Sequence, residues 1–129
     1  MSKEKIIPTN SELEILEILW EKAPCTARDV HNEISQTKKT GYTTTLKIIQ
    51  NMFDKNILSR EPKGQTHIYS PTISRETVQQ SLLGGFVNRV FGGSAKRMIL
   101  QALGNEEPDA KELEEIKQMI EQIENKGKK

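Results

Sequence analysis

With one cysteine, Cys25, the chain has no internal disulfide to lean on. One cysteine and two histidines are also a poor supply of soft metal ligands, so neither a metal nor any other cofactor is expected. No apolar run approaches the length that crosses a bilayer, and the opening MSKEKIIPTN has no apolar signal core. A soluble cytoplasmic protein without a membrane partner is the expectation. Paired carboxylates and a catalytic triad are missing as well, which leaves an enzyme as the least supported class. Cys25 and His31 lie six residues apart with no third group to orient them. Cys25 therefore reads as a partly buried structural thiol rather than a redox or metal sensor. Apolar residues make up only 34% of the 129 and aromatic ones 5%, low for a self-sufficient globule, so a partner is expected to complete part of the core.

Helical periodicity dominates what is present. Ser11 to Glu14 has the form of a capping box, and Leu13, Ile15, Leu16, Ile18, Leu19 and Trp20 mark a first helix running to about Lys22, with Trp20 as a core anchor. Its outer face is expected to carry Glu12, Glu14, Glu17 and Glu21. Beyond Pro24, Thr26 to Asp29 caps a second helix striped by Ala27, Val30 and Ile34. A polar loop, Ser35 to Gly41, leads to a third, over about 42–55. There Thr45, Ile48, Ile49, Met52 and Phe53 share an inward face, while Thr43, Thr44, Lys47, Gln50 and Asn51 face out. No carboxylate occurs on this helix before Asp54. Asn56 can take the left-handed conformation that stops a helix. Ile57 and Leu58 then start a strand, Lys63 and Gly64 turn it, and His67, Ile68 and Tyr69 bring it back. Three helices and a hairpin, over about 58–71, make a winged helix-turn-helix.

Net charge, at +1, lacks the excess usual in a nucleic-acid protein, but the average hides a segregation. Residues 38–72 hold six basic against two acidic side chains, and residues 104–125 hold two basic against eight acidic. The basic stretch coincides with the two elements that a winged helix points at duplex DNA. Hydroxyls, amides and an ammonium on the outward face of the third helix suit base edges and phosphates. The expected DNA-contacting residues are Tyr42, Thr43, Thr44, Lys47, Gln50 and Asn51 on that helix, Lys38 and Lys39 before it, Arg28 on the second helix, and Arg60, Lys63, Gln65 and His67 in the wing.

After Pro71 the pattern is all helical. Val78, Leu82, Phe86 and Val90 recur four apart, joined by Leu83, Val87 and Phe91, up to Gly92 and Gly93. Met98, Ile99, Leu100 and Leu103 mark a short helix closed by Gly104. Asp109 to Glu112 caps a last one, with Leu113, Ile116, Ile120 and Ile123 along one side and Met119 beside them. Some fifty residues are too few to bury this much apolar surface among themselves, and a second copy of the chain is the expected remedy. The residues assigned to that contact are Leu82, Leu83, Phe86, Val87, Val90, Phe91, Met98, Ile99, Leu103, Leu113, Ile116, Ile120 and Ile123. The fold class is thus mainly α with a small β wing: a DNA-binding domain over 1–72 and a three-helix dimerisation domain over 73–129. Two heads related by a two-fold axis read a palindrome with half-sites about one helical turn apart. The alternative is a protein-binding adaptor on a winged-helix scaffold. The pairs Gly84–Gly85 and Gly92–Gly93 follow no strand and precede no Lys-Ser/Thr, so they read as flexible breaks or close helix packing rather than a phosphate loop.

The runs TNSELEILEILW, PCTARDVHNEI, GYTTTLKIIQNM and NRVFGG together resemble the penicillinase repressors, the BlaI/MecI/CopY group of bacterial transcriptional regulators, over nearly the whole chain. The resemblance implies a homodimeric winged-helix repressor that holds palindromic operators and is inactivated by an upstream sensor or protease. It also exposes departures. Asn51 stands where the family usually carries Arg, and Asn56 where it carries Gly. The proteolytic step of the resistance-linked members, an Asn-Phe pair in the short helix after the GG, aligns with Gln101 and Ala102. The cysteine-rich tail of the copper-responsive members has no counterpart in ENKGKK, so no copper site is implied.

Overall fold

The computed structural model describes residues 7–105 and 107–127. Helices α1 (Asn10–Lys22), α2 (Ala27–Ile34) and α3 (Tyr42–Asp54) lead into strands β1 (Leu58–Lys63) and β2 (Thr66–Pro71). Helices α4 (Arg75–Val90), α5 (Ala95–Asn105) and α6 (Ala110–Gly127) follow. The chain divides into two compact units, Met1–Gly85 and Phe86–Lys129, so the division falls inside α4.

The first unit is built on an apolar centre of Ile15, Leu16 and Leu19 from α1, Val30 and Ile34 from α2, and Ile49 and Met52 from α3. Ile57, Leu58 and Tyr69 extend it under the hairpin, and Val78 of α4 closes it. α1 starts earlier than the sequence suggested. Thr9, not Ser11, is its N-cap: the Glu12 backbone N–H donates to Thr9 Oγ1 at 3.1 Å, and the Thr9 N–H donates to Glu12 Oε1 at 3.0 Å. Two overlapping Ser/Thr-x-x-Glu spacings compete here, and the one used turns the Glu12 carboxylate inward. Glu12 is consequently buried rather than on the outer face, and its Oε2 accepts from Lys55 Nζ at 2.7 Å. Glu14, Glu17 and Glu21 remain exposed. The box on α2 is the expected one, with Thr26 and Asp29 each accepting from the other's backbone N–H at 3.0 Å.

Burial by itself pushes the Glu12 carboxyl up, but the Lys55 ammonium and the Thr9 N–H outweigh it and hold the group below its ordinary value of 4.5. A depressed carboxylate stabilises the fold above that value, and the contribution is lost as pH falls through the lower folded one. Glu12→Gln keeps the cap geometry and removes the charge. It is expected to lower the melting temperature at neutral pH, with the gap to wild type closing in acid below 4.5. A gap independent of pH, followed by circular dichroism, would place the cost in shape instead.

Helix α3 ends in a Schellman arrangement. Asn56 sits at φ 66°, its N–H donates to Phe53 C=O at 3.0 Å, and the Ile57 N–H donates to Met52 C=O at 3.0 Å. The hairpin closes over Gly64, at φ 62°, and Gln65, with Lys63 opposite Thr66 and Arg60 opposite Tyr69. β2 is also tied to the α1–α2 connection: Cys25 N–H donates to Tyr69 C=O at 3.1 Å, and Tyr69 N–H returns to Cys25 C=O at 2.7 Å. Cys25 is buried there, and burial raises its thiol above the ordinary range. The thiolate is disfavoured accordingly.

In the second unit α6 opens with the expected Asp109–Glu112 box, at 2.8 and 3.1 Å, and neither α5 nor α6 contains a buried residue. The stripe read along α4 is divided. Val78 and Leu82 belong to the packing of the first unit, whereas Leu83, Phe86 and Val90 are exposed. Among the described residues no helix is long and apolar enough to cross a membrane.

Candidate nucleic-acid interface

The inward face of α3 is fixed by Thr45, Ile49 and Met52, all buried, with Leu46, Ile48 and Phe53 half-buried. That leaves Thr43, Thr44, Lys47, Gln50 and Asn51 exposed together, as the periodicity predicts. The cap residue Gly41 offers no side chain to the first turn, and no acidic residue lies in it. The positive end of this helix is therefore open to an anion.

Two contacts from α2 hold the start of α3. The Arg28 guanidinium lies 3.9 Å from the centre of the Tyr42 ring, and the His31 ring meets the same tyrosine edge-on at 5.6 Å. His31 Nδ1 is 3.0 Å from Thr45 Oγ1, and its Nε2 is 3.2 Å from Ser35 Oγ. Tyr42 is thus half-buried as a packing piece that also presents Arg28 at the end of the helix. His31 was legible in the sequence only as an unsupported catalytic base. Its position beside the Val30 and Ile34 stripe was the available sign that it belongs to the α2–α3 contact.

The wing residues fall on different faces. Arg60, His67 and Tyr69 share the inward face with buried Leu58, and the Arg60 guanidinium lies 4.0 Å from the centre of the Phe53 ring at the end of α3. His67 is half-buried beside Tyr69, their ring centres 6.4 Å apart. Lys63 and Gln65 are exposed at the tip.

Ion pairing sorts the cations of this unit. Lys22 is paired with Glu33 at 2.6 Å, Lys38 with Glu14 at 2.8 Å, Lys55 with Glu12 at 2.7 Å, and Arg75 with Glu17 and Glu21 at 3.5 and 3.4 Å. Arg28, Lys39, Lys47, Arg60 and Lys63 have no carboxylate partner among the described residues. Among the described residues of this unit every unpaired cation thus lies on α2, the loop before α3, α3 or the wing, and every paired one is drawn to a carboxylate of α1 or α2. Lys38 stands apart from the other expected contacts because Glu14 holds it. Both members of that pair are about half exposed, so the pair is worth about 0.2–1 kcal/mol and a phosphate can compete for the lysine.

The family model described as "Penicillinase repressor" matches residues 8–122. The chain belongs to the penicillinase repressor family. Among its relatives, the penicillinase repressor of Staphylococcus aureus is 25% identical over 126 residues, covering 98% of this chain and all of the relative. That of Bacillus licheniformis is 24% identical over 120 residues, covering 93% of this chain and 94% of the relative. The solution structure of the DNA binding domain of the repressor BlaI aligns with 59% of this chain and 93% of its own, at TM-score 0.52 and 21% identity. That likeness shows the winged-helix fold.

In this member of the penicillinase repressor family the residues assigned to dimerisation are distributed unevenly. Leu83, Phe86, Val90, Ile99, Leu113, Ile120 and Ile123 are exposed. Leu82, Phe91, Met98, Leu103 and Ile116 are half-buried, and Val87 is buried. Leu100 and Met119, which the periodicity placed on their helices without assigning them to the contact, are 60% and 62% exposed and extend the apolar surface. Gln101 and Ala102 are exposed within α5.

Proposed function

We propose that the chain is a transcriptional repressor that works as a homodimer on palindromic operator DNA. Membership of a repressor family supports the coarser statement, a DNA-binding transcriptional repressor. Residues 1–72 act as the reading head, onto which the first half of α4 packs through Val78 and Leu82, and the rest of residues 73–129 act as the dimerisation region. The observation that carries this reading is the set of unpaired cations, Arg28, Lys39, Lys47, Arg60 and Lys63, gathered on the elements that a winged helix turns toward DNA. α3 enters the major groove with Thr43, Thr44, Lys47, Gln50 and Asn51 along the base edges. Arg28 and the wing tip rest on the flanking phosphates. An upstream signal, from a sensor or a protease, releases the operator by acting on the C-terminal helices; the Gln101–Ala102 step, which replaces the Asn-Phe pair of the resistance-linked members, is exposed on α5.

Selection of bound duplexes from a random-sequence pool tests the assignment of roles. Lys63→Ala is expected to weaken binding alike across sequences and to lower the salt slope by about 1, as loss of one phosphate contact does. Lys47→Ala is expected to change the preferred sequence, because a good base contact discriminates by about 1–3 kcal/mol. An unchanged sequence profile for Lys47→Ala removes it from base reading, and a pool with no enrichment by wild type removes operator recognition altogether.

A further inference from the structure

From the helix that links the two units we infer that Gly84 and Gly85 form a compliant joint in α4, and that this joint sets how far the spacing between operator half-sites can vary. The inference rests on the dimeric reading above. On the head side α4 is firmly held. Trp20 Nε1 donates to Ile73 C=O at 2.9 Å, and the Arg75 guanidinium reaches Glu17 and Glu21 while lying 5.4 Å from the Trp20 ring centre. Val78 is buried in the core of the head, and Leu82 packs against it. Two residues later come the glycines, and the compact division of the chain falls directly after them.

Nothing in the packing explains why these positions lack side chains. A Cβ built on Gly84 or on Gly85 meets no atom within 4 Å, so no close approach within the chain requires glycine. Neither residue has a positive φ, so no turn requires it either. Gly92 and Gly93 differ: at φ 59° and 86° they occupy the left-handed region beyond the end of α4. Of the two roles open to the first pair from sequence, close packing finds no partner within the chain, which favours the flexible break. Glycine is the least favourable residue in a helix interior after proline, because its backbone has most freedom to lose. Two in succession make the weakest point of α4, set between its anchored start and the half that belongs to the other unit.

The operator gives this weakness a use. Lengthening the distance between two half-sites by one base pair moves one head by about 3.4 Å and turns it by about 35° about the duplex axis. A stiff α4 transmits that displacement to the dimer contact as strain, whereas a helix that bends at residues 84–85 absorbs it. The glycine pair therefore acts as a specificity determinant: it contacts no base, and it governs which arrangements of two half-sites are accepted.

The full chain and its Gly84→Ala/Gly85→Ala variant are each used to select duplexes from a random-sequence pool, and the separation of inverted half-sites is read from the recovered sequences. Alanine favours the helix and meets open space at both positions, so the variant is expected to fold with an equal or higher melting temperature. Wild type is expected to recover several neighbouring separations and the variant one. In titrations, the variant should match wild type within about twofold at that separation and bind at least tenfold more weakly one base pair to either side. Superimposable separation profiles overturn the joint and leave the dimeric reading intact. Recovery by wild type of isolated half-sites alone overturns the dimeric reading, and the joint with it.

Discussion

Replacing both Ile120 and Ile123 by glutamate is expected to split the proposed dimer and to lower operator affinity by about 10²–10⁴-fold, the usual gain from linking two binding modules. Along α6, Leu113, Ile116, Ile120 and Ile123 form a three-four-three stripe, yet Ile120 is 51% and Ile123 68% exposed in the single chain. Full burial of such a side chain stabilises an association by about 1.5–3 kcal/mol, so a few pairs make a stable contact. A carboxylate at the same place has to be desolvated without a partner, which costs more than the isoleucine contributed. In the monomer the two positions already face solvent, and the fold should be indifferent to the change. Sedimentation shows whether the dimer is lost, circular dichroism whether the helices persist, and an operator titration how much affinity goes with it. A double variant that still sediments as a dimer with unchanged affinity would exclude α6 from the contact.

Salt should have the other large effect. Among its described residues the first unit offers five cations without carboxylate partners, Arg28, Lys39, Lys47, Arg60 and Lys63, and the proposed dimer would offer them twice. Neutralising 6–10 phosphates in this way is expected to cost about 10³–10⁵ in affinity between about 50 and 200 mM salt, through the counterions released from the duplex. Fluorescence anisotropy over that range measures the slope directly. Lys38→Ala should lower the slope by less than Lys63→Ala does, since a phosphate has to displace Glu14 from that ammonium, paired at 2.8 Å. A slope near zero for wild type is incompatible with phosphate contacts by this face.

Local patterns carried the parts of this fold that local physics decides. The inward face of α3 followed from apolar spacing, its end from Asn56, and the caps of α2 and α6 from Thr26 and Asp109, because each depends on residues within four positions. Partners distant in sequence were not legible. Lys38 meets Glu14 across 24 residues and Lys55 meets Glu12 across 43, so counting charges along the basic segment did not reveal which were already neutralised. Periodicity likewise placed Val78, Leu82, Phe86 and Val90 on one stripe without saying that its first half packs into the head. The start of α1 was missed because Thr9 and Ser11 both lie three residues before a glutamate.

The contact between Trp20, Ile73 and Arg75 also gives the molecule an optical property. Trp20 is the chain's one tryptophan, and its indole sits half-buried where α1 meets the start of α4, bonded to a backbone carbonyl and close to a cation. Its emission colour and intensity depend on that hydrogen bond, that charge and the access of water. The unlabelled protein thus carries a fluorophore at the root of the connecting helix, and its spectrum registers whether that root stays docked when the head engages DNA.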